Sequence, residues 1–251
     1  MKIVIFSGTT EGRELSRSLS ALGAELVVCV ATEYGSEEQG TLPGVTTRVG
    51  PLTAEEKREL LSDAALCVDA THPYATHVTA SLREACRRTG CEYRRLLRAG
   101  SEIDAQGALC FDSAAQAAAY LKDTRGNILL ATGAKELECY RELEPARLYP
   151  RILPSHGSLA ACEALGIPHR NVIAMQGPFS RELNEALIRQ YEIAWLVTKD
   201  GGAPGGFPEK AEAARAAGAG LIVLRRPAET GESFEEILAY CEERIKKHAH
   251  P

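Results

Sequence analysis

The chain has 251 residues, 45% of them apolar and 25% charged, with 34 acidic against 29 basic side chains and a net charge of −5. Such a length supports one or two domains with a substantial core, and the composition excludes a disordered or collagen-like chain. The acidic balance argues against a nucleic-acid partner, and the lack of an apolar run of bilayer length argues against a membrane one.

Short β-branched runs alternate with amphipathic segments from end to end, the pattern of parallel sheets covered by helices on both faces. The first strand, 2–6, follows Met1 without the apolar stretch and cleavage site of an export signal, so a cytoplasmic location is expected. A glycine loop, Ser7-Gly8-Thr9-Thr10-Glu11-Gly12, comes next. In the helix after it, Leu15, Leu19 and Leu22 fall at i, i+4 and i+7, and Gly23 supplies a left-handed stop. Strands at 25–30, 45–50, 65–70 and 92–98 complete a first sheet. Between them lie a capping box at Thr53 and Glu56 and a helix over 76–89, which presents Val78, Leu82 and Ala85 on one face and ends at Gly90.

After Arg98 the stretch 99–107 loses its apolar periodicity, as a linker does, so domains are expected at 1–99 and 100–251. Strands at 109–111, 128–131, 148–153, 172–175, 194–198 and 221–225, with another capping box at Ser113 to Gln116, predict a second sheet. The halves share a plan: the loop from Asp69, a helix and the strand at 93–98 correspond to the loop from Thr198, a helix and the strand at 221–226. The expected fold class is therefore α/β, two Rossmann-like doubly wound parallel-sheet domains with an interdomain cleft. The eight cysteines contain no C-x-x-C pair and lie mostly in apolar stretches, as reduced core residues do.

In open parallel sheets ligands bind beyond the carboxyl ends of the strands, so functional residues should follow strands. Gly8 and Gly12 allow close backbone approach, Thr9 and Thr10 offer hydroxyls, and the helix terminus beside them favours phosphate. The spacing is G-x-x-x-G, a departure from the dinucleotide fingerprint G-x-G-x-x-G, and a purely structural turn is the competing reading. Glu33 follows the second strand, where an acidic residue bonds an adenosine ribose and favours NADH, or is simply a solvated carboxylate. In Asp69-Ala70-Thr71-His72-Pro73-Tyr74-Ala75, His72 can donate a proton or bond a carboxylate, while the structural alternative has Pro73 fix a turn and Tyr74 pack.

Three loops of the second half, each expected between a strand and a helix, contain Thr132-Gly133-Ala134-Lys135, Gln176-Gly177-Pro178-Phe179-Ser180 and Thr198-Lys199-Asp200 with Gly205, Gly206 and Lys210. Lys135, Lys199 and Lys210, with Arg151 after another strand, can gather positive charge for an anionic ligand, although any single lysine is equally a solvated surface charge. Several chemistries are excluded: there is no Tyr-x-x-x-Lys pair, no phosphate loop of the G-x-x-x-x-G-K type and no G-x-S-x-G elbow. His72 and His77 lack partners in zinc-site spacing, so no protein-bound metal is expected.

Together these loops, with Arg151-Ile152-Leu153-Pro154, Glu209-Lys210 and Arg225-Arg226-Pro227, resemble the precorrin-6A and cobalt-precorrin-6A reductases of corrin ring biosynthesis over almost the whole chain. Ala134 and Gly201 stand where that family would carry serine, and Ala99 follows Arg98 where proline is frequent. The resemblance implies a strand exchanged between domains and hydride transfer from a reduced nicotinamide to a ring D double bond of a tetrapyrrole. The cofactor would be NADPH, with NADH the alternative that Glu33 favours, and the other enzymes of the corrin pathway are candidate partners. It further implies that Gly8, Thr9, Thr10, Glu11, Gly12, Glu33 and Thr71 hold the cofactor, with a parallel loop of the second domain as the alternative. Lys135, Arg151, Ser180, Lys199, Gly205, Gly206 and Lys210 are then assigned to the substrate's carboxylates or to cofactor phosphates, and His72 and Tyr74 to proton donation. Two other readings stand beside it: a non-enzymatic NAD(P)-binding sensor, and a nicotinamide-dependent reductase of another carboxylated substrate.

Overall fold

The structure, a computed structural model, describes residues 1–97, 107–202 and 205–249. Two compact units divide the chain, Met1–Ala99 with Ala228–Pro251 and Gly100–Pro227.

The first unit is built on a parallel sheet ordered β3-β2-β1-β4-β5, from β1 (Lys2–Ser7), β2 (Glu25–Val30), β3 (Val45–Val49), β4 (Leu66–Ala70) and β5 (Glu92–Arg95). Period-2 alternation sends successive side chains to opposite faces. Ile3, Ile5, Val28 and Val68 therefore join Leu15 and Leu19 of α1 (Thr10–Ala21) in one core. Val4, Phe6, Cys29 and Cys67 join Leu60 and Leu61 of α3 (Ala54–Leu61) and Leu82 of α4 (Thr76–Thr89) in the other. Thr53 and Glu56 form the expected capping box, and Gly90 ends α4 in the left-handed region. A short helix that the periodicity does not announce, α2 (Glu33–Gln39), is capped by Thr32.

The second unit repeats this order. Its sheet runs β6-β11-β10-β7-β8-β9, from β6 (Leu109–Phe111), β7 (Asn127–Leu130), β8 (Leu148–Ile152), β9 (Ile173–Ala174), β10 (Ile193–Lys199) and β11 (Gly220–Leu224). Read from β9 to β11, it is the first sheet's 3-2-1-4-5 order, so β7 corresponds to β1 and β10 to β4, as the shared plan predicts. One face is covered by α5 (Ala114–Lys122) and α6 (His156–Ala164), the other by α7 (Arg181–Gln190) and α8 (Phe207–Ala217). The second capping box is half formed. Ser113 caps the Gln116 amide, but the Gln116 side chain accepts from Asp112.

The domain that was expected to run over 100–251 ends at Pro227 instead, and the chain from Ala228 onward belongs to the first unit. The reason is apolar burial: Ile237 and Cys241 of α9 (Phe234–Ala249) are fully buried in the core around Leu15 and Leu19. Beside β5, Glu232 forms a parallel bridge with Leu96, its amide donating to the Arg95 carbonyl at 2.8 Å and its carbonyl accepting from Leu97 at 2.9 Å. Gly231 permits this approach, since a Cβ there would stand 2.6 Å from the Arg95 oxygen. Thus β6, which follows β5 in sequence, edges the second sheet, and the segment after β11 edges the first. Arg98 and the expected linker up to residue 106 lie outside the described residues, as does Ala99.

No helix among the described residues is long and apolar enough to cross a membrane. All eight cysteines are free thiols, six of them buried, with Cys110 half-buried and Cys139 exposed. Truncating Ile237 to alanine should cost about 2–4 kcal/mol, the usual range for a buried aliphatic side chain. Urea unfolding of the intact protein checks this, and an Ile237→Ala variant as stable as the parent would deny α9 a place in the first core.

Candidate functional site

In the first unit the central strands β1 and β4 end side by side, with Ser7 paired to Ala70, at the point where strand order reverses and a crevice opens beyond the strand ends. Thr9 caps α1: its hydroxyl accepts from the Gly12 amide and donates to the Ala70 carbonyl, both at 3.2 Å. One side chain thereby ties the start of the helix to the end of β4. A Cβ on Gly12 would stand 2.8 Å from that of Ala70 and 2.9 Å from the Ser7 hydroxyl, while one on Gly8 would stand 3.4 Å from the His72 nitrogen. The two loops pack backbone against backbone, and the first turn of α1 presents amides at that level. Such a cradle fits the pyrophosphate of a dinucleotide despite the G-x-x-x-G spacing. Thr10 accepts from Arg13 at 3.3 Å, Glu11 lies in the first turn, and Glu33 stands exposed at the start of α2, beyond the end of β2.

The loop after β4 is anchored from the sheet. Asp69, fully buried, accepts from the Thr71 amide (3.1 Å) and hydroxyl (2.7 Å), the Thr79 hydroxyl (2.8 Å), the Tyr93 phenol (2.9 Å) and Arg95 (3.0 Å). Arg95 also donates to the carbonyls of Asp69 and Thr71 and to Glu229. Burial, reinforced by the Asp69 carboxylate, pushes the Tyr93 phenol well above its ordinary range. The Thr71 hydroxyl, expected on a cofactor, donates to Asp69 instead, because that carboxylate has no water to bond. His72 and Tyr74 follow, both half-buried, with ring centres 5.4 Å apart and the Tyr74 amide donating to His72 Nδ1 at 3.4 Å.

In the second unit β7 and β10 form the corresponding central pair. The loop after β7 enters a 3₁₀ helix, Ala134–Tyr140, where a helix was expected. Thr132 is buried, and its hydroxyl has no partner among the described residues. Lys199, at the end of β10, pairs with Glu136 of that turn at 3.0 Å, while Lys135 is exposed. Arg151 lies inside β8 and not after it. Only 6% exposed, it donates to the Asn184 side-chain oxygen at 2.7 Å and stacks over Phe179 at 4.1 Å. Burial lowers its pKa to about 10. Lys210, half-buried on α8, donates to the Gly205 carbonyl at 2.6 Å. Burial first, and then the charge of Arg151, bring its pKa down to about 8 against a smaller opposing effect of Glu209. Among the described residues neither cation has a carboxylate within ion-pair distance. Gly206 starts α8 in the left-handed region, and Ser180 is exposed as the cap of α7, accepting from Leu183.

The structure therefore brings Gly8 to Gly12 together with Thr71, His72 and Tyr74, and Arg151 together with Lys210, Gly205 and Gly206. Glu33 and Lys135 are exposed, and Ser180 adjoins the second cluster, its carbonyl accepting at 2.7 Å from the Asn184 side chain that bonds Arg151. The sequence reading misses Asp69, Arg95, Glu229, Asn184 and Phe179 as participants. A charged residue inside an apolar strand, as in Leu66–Ala70, was the one signal available for Asp69. Among the described residues no group of three His, Cys, Asp or Glu side chains could hold a metal ion.

The model of the family described as precorrin-6x reductase CbiJ/CobK matches residues 2–242. A cobalt-precorrin-6A reductase of Methanothermobacter thermautotrophicus is 36% identical over 234 residues, 90% of this chain and 77% of its own length. One from Priestia megaterium is 31% identical over 246 residues, 94% of this chain and 96% of its own. The solved structure of a CobK precorrin-6A reductase superposes with a TM-score of 0.77, at 24% identity and 97% coverage of both chains.

Adding a methyl group at Gly12 should destabilise the protein by about 1–3 kcal/mol through overpacking against Ala70, whereas Gly8→Ala should cost less than about 1 kcal/mol. Chemical denaturation of the two variants checks the order, and equal costs would contradict the packing described.

Proposed function

The chain belongs to the precorrin-6x reductase family, oxidoreductases that act on a tetrapyrrole in cobalamin biosynthesis, and from that premise we propose that it reduces a ring D double bond of precorrin-6A with NADPH as hydride source, in the cytoplasm. The cobalt-bearing macrocycle is the preferred substrate, since the two relatives above carry that name. Any cobalt belongs to the substrate and needs no ligand from the chain.

One observation carries the reading: buried Arg151 and half-buried Lys210 lie close enough for their charges to act on each other, and among the described residues neither has a carboxylate counter-ion. Leaving charge in such surroundings is costly unless a ligand neutralises it, and a macrocycle fringed with acetate and propionate groups supplies the anions. Lys135 adds positive charge to the same unit, Lys199, paired with Glu136, can exchange that partner for a substrate carboxylate, and Gly205 and Gly206 let a ligand approach the start of α8. Ser180, although engaged as a cap, retains a hydroxyl proton to donate.

For the nicotinamide, the Gly8 to Gly12 cradle offers close approach and helix amides to the phosphates, with Thr10 and Glu11 in the first turn. When bound, the reduced nicotinamide supplies the hydride, and the protein supplies position and charge. Glu33 stands where it would meet an adenosine ribose, which favours NADH, so NADH is the comparison cofactor. Thr71 orients the loop through Asp69, and proton delivery is assigned to His72 and Tyr74, whose neighbouring rings in that loop support the reading.

Anaerobic mixing of purified protein with NADPH or NADH and either form of precorrin-6A tests the reading. Loss of reduced nicotinamide together with a change in the macrocycle bands is expected. Nucleotide binding with no oxidation by either tetrapyrrole would favour a sensor.

Lys210 adds a pH dependence. Because its folded pKa lies below the ordinary 10.5, the unfolded chain binds the proton more tightly, and Lys210's contribution to stability rises with pH between about 8 and 10.5. Its capture of a carboxylate runs the other way. In the free enzyme kcat/KM should drop by about 10- to 100-fold as pH rises through 8, the value of one charge-assisted bond, and Lys210→Met should lose that step. An unchanged step in the variant would assign the titration elsewhere.

A further inference from the structure

We propose that Glu229 is a positioning residue for the Thr71 to Tyr74 loop, acting through Arg95 from the segment that returns to the first unit after β11. Arg95 is a strand residue whose side chain is only 2% exposed, and among the described residues its side-chain partners are that loop, its anchor and Glu229. On one side Nη1 donates to Asp69 Oδ1 (3.0 Å), the Asp69 carbonyl (3.0 Å) and the Thr71 carbonyl (2.9 Å). On the other side Nη2 and Nε donate to Glu229 at 2.9 and 3.3 Å. The guanidinium is planar and rigid, so fixing one edge fixes the direction of the other.

Charge supports the same conclusion. Asp69 is itself buried and shared among Thr71, Thr79 and Tyr93, so a lone Asp69–Arg95 pair would leave part of the guanidinium unsatisfied. Glu229, with its side chain 11% exposed, completes the pairing. Without it, Arg95 gains solvation by tilting toward the opening left behind, and the donor to the Thr71 carbonyl moves with it. The consequence reaches the glycine loop, because Thr71 Cα and the His72 nitrogen lie 3.4 Å from where a Gly8 Cβ would be. A shift of Thr71 changes the crevice floor and the placing of the His72 and Tyr74 rings together.

Glu232 provides an internal control. It sits three residues on in the same segment and pairs with Arg94, which faces Tyr240 and Glu92 rather than the loop. Removing either acid weakens attachment of the segment, but only Glu229 addresses Thr71.

The proposal rests on the loop's assignment to the ligand site, and the test separates the two. Glu229→Gln, Glu229→Asp and Glu232→Gln are made in the full chain. Each is titrated with NADPH, and its His72 ring resonance is followed by NMR on histidine-labelled protein. Glu229→Gln should weaken NADPH binding by about tenfold and move the His72 resonance, Glu229→Asp should recover part of both, and Glu232→Gln should alter neither. The proposal is overturned by wild-type behaviour in Glu229→Gln, or by equal effects of Glu229→Gln and Glu232→Gln, which would reduce Glu229 to a tether. If Glu229→Gln does not fold, Glu229→Asp, which keeps the charge and shortens its reach, supports the same comparison with Glu232→Gln. Wild-type protein that binds no NADPH would remove the cradle assignment alone, and the His72 resonance would still decide for or against the positioning role.

Discussion

A buried guanidinium must find its anion, and the two units meet that demand in opposite ways. Arg95 finds carboxylates within its own unit, Asp69 and Glu229, and the result is a fully paired, rigid support under a loop. Arg151 finds an amide oxygen and an aromatic face, which satisfy hydrogen bonding and packing but leave the charge standing. The two clusters differ accordingly: a scaffold whose buried cation is matched by carboxylates in one unit, and a buried cation without one among the described residues in the other.

The geometry of parallel sheets explains why these groups are where they are. Within each sheet every strand points its carboxyl end the same way, so the loops after β1 and β4 meet where strand order reverses in the first unit, and those after β7 and β10 do so in the second. Glycine and threonine at the first place bring backbone close to backbone, as with Thr9 bridging Gly12 and Ala70. At the second, lysine and glutamate span the junction through Lys199 and Glu136. The same architecture therefore offers a narrow floor in one unit and a charged rim in the other.

Much of this was legible in the sequence because it is local. The period-2 alternation of Ile3, Val4, Ile5 and Phe6 assigns both cores of the first sheet, and Thr53 with Glu56 announces a helix start in four residues. What escaped was nonlocal. Glu229 meets Arg95 across more than a hundred residues of chain, and nothing in the composition around either one signals the pairing. Likewise, α9 has the amphipathic pattern of any surface helix, and pattern alone does not say which sheet it covers. Arg151 was noticed for its charge, but its burial inside β8 depends on Asn184 and Phe179, which arrive from a later loop and helix.

The return of the last segment to the first unit has a consequence for synthesis. The second unit is contiguous, Gly100–Pro227, whereas the first takes chain from both sides of it. Once Pro227 has been added, the first sheet still lacks Ile237, Cys241 and the Glu232 bridge beside β5. The first unit, although begun earlier, therefore lacks part of its chain until all of the second unit's has been made, unlike an N-terminal domain of contiguous chain. The nascent chain carries an open apolar face on α1 and β1 until Ile237 and Cys241 have been added, and a premature stop after Pro227 would release the whole sequence of the second unit with a first unit that lacks its last segment.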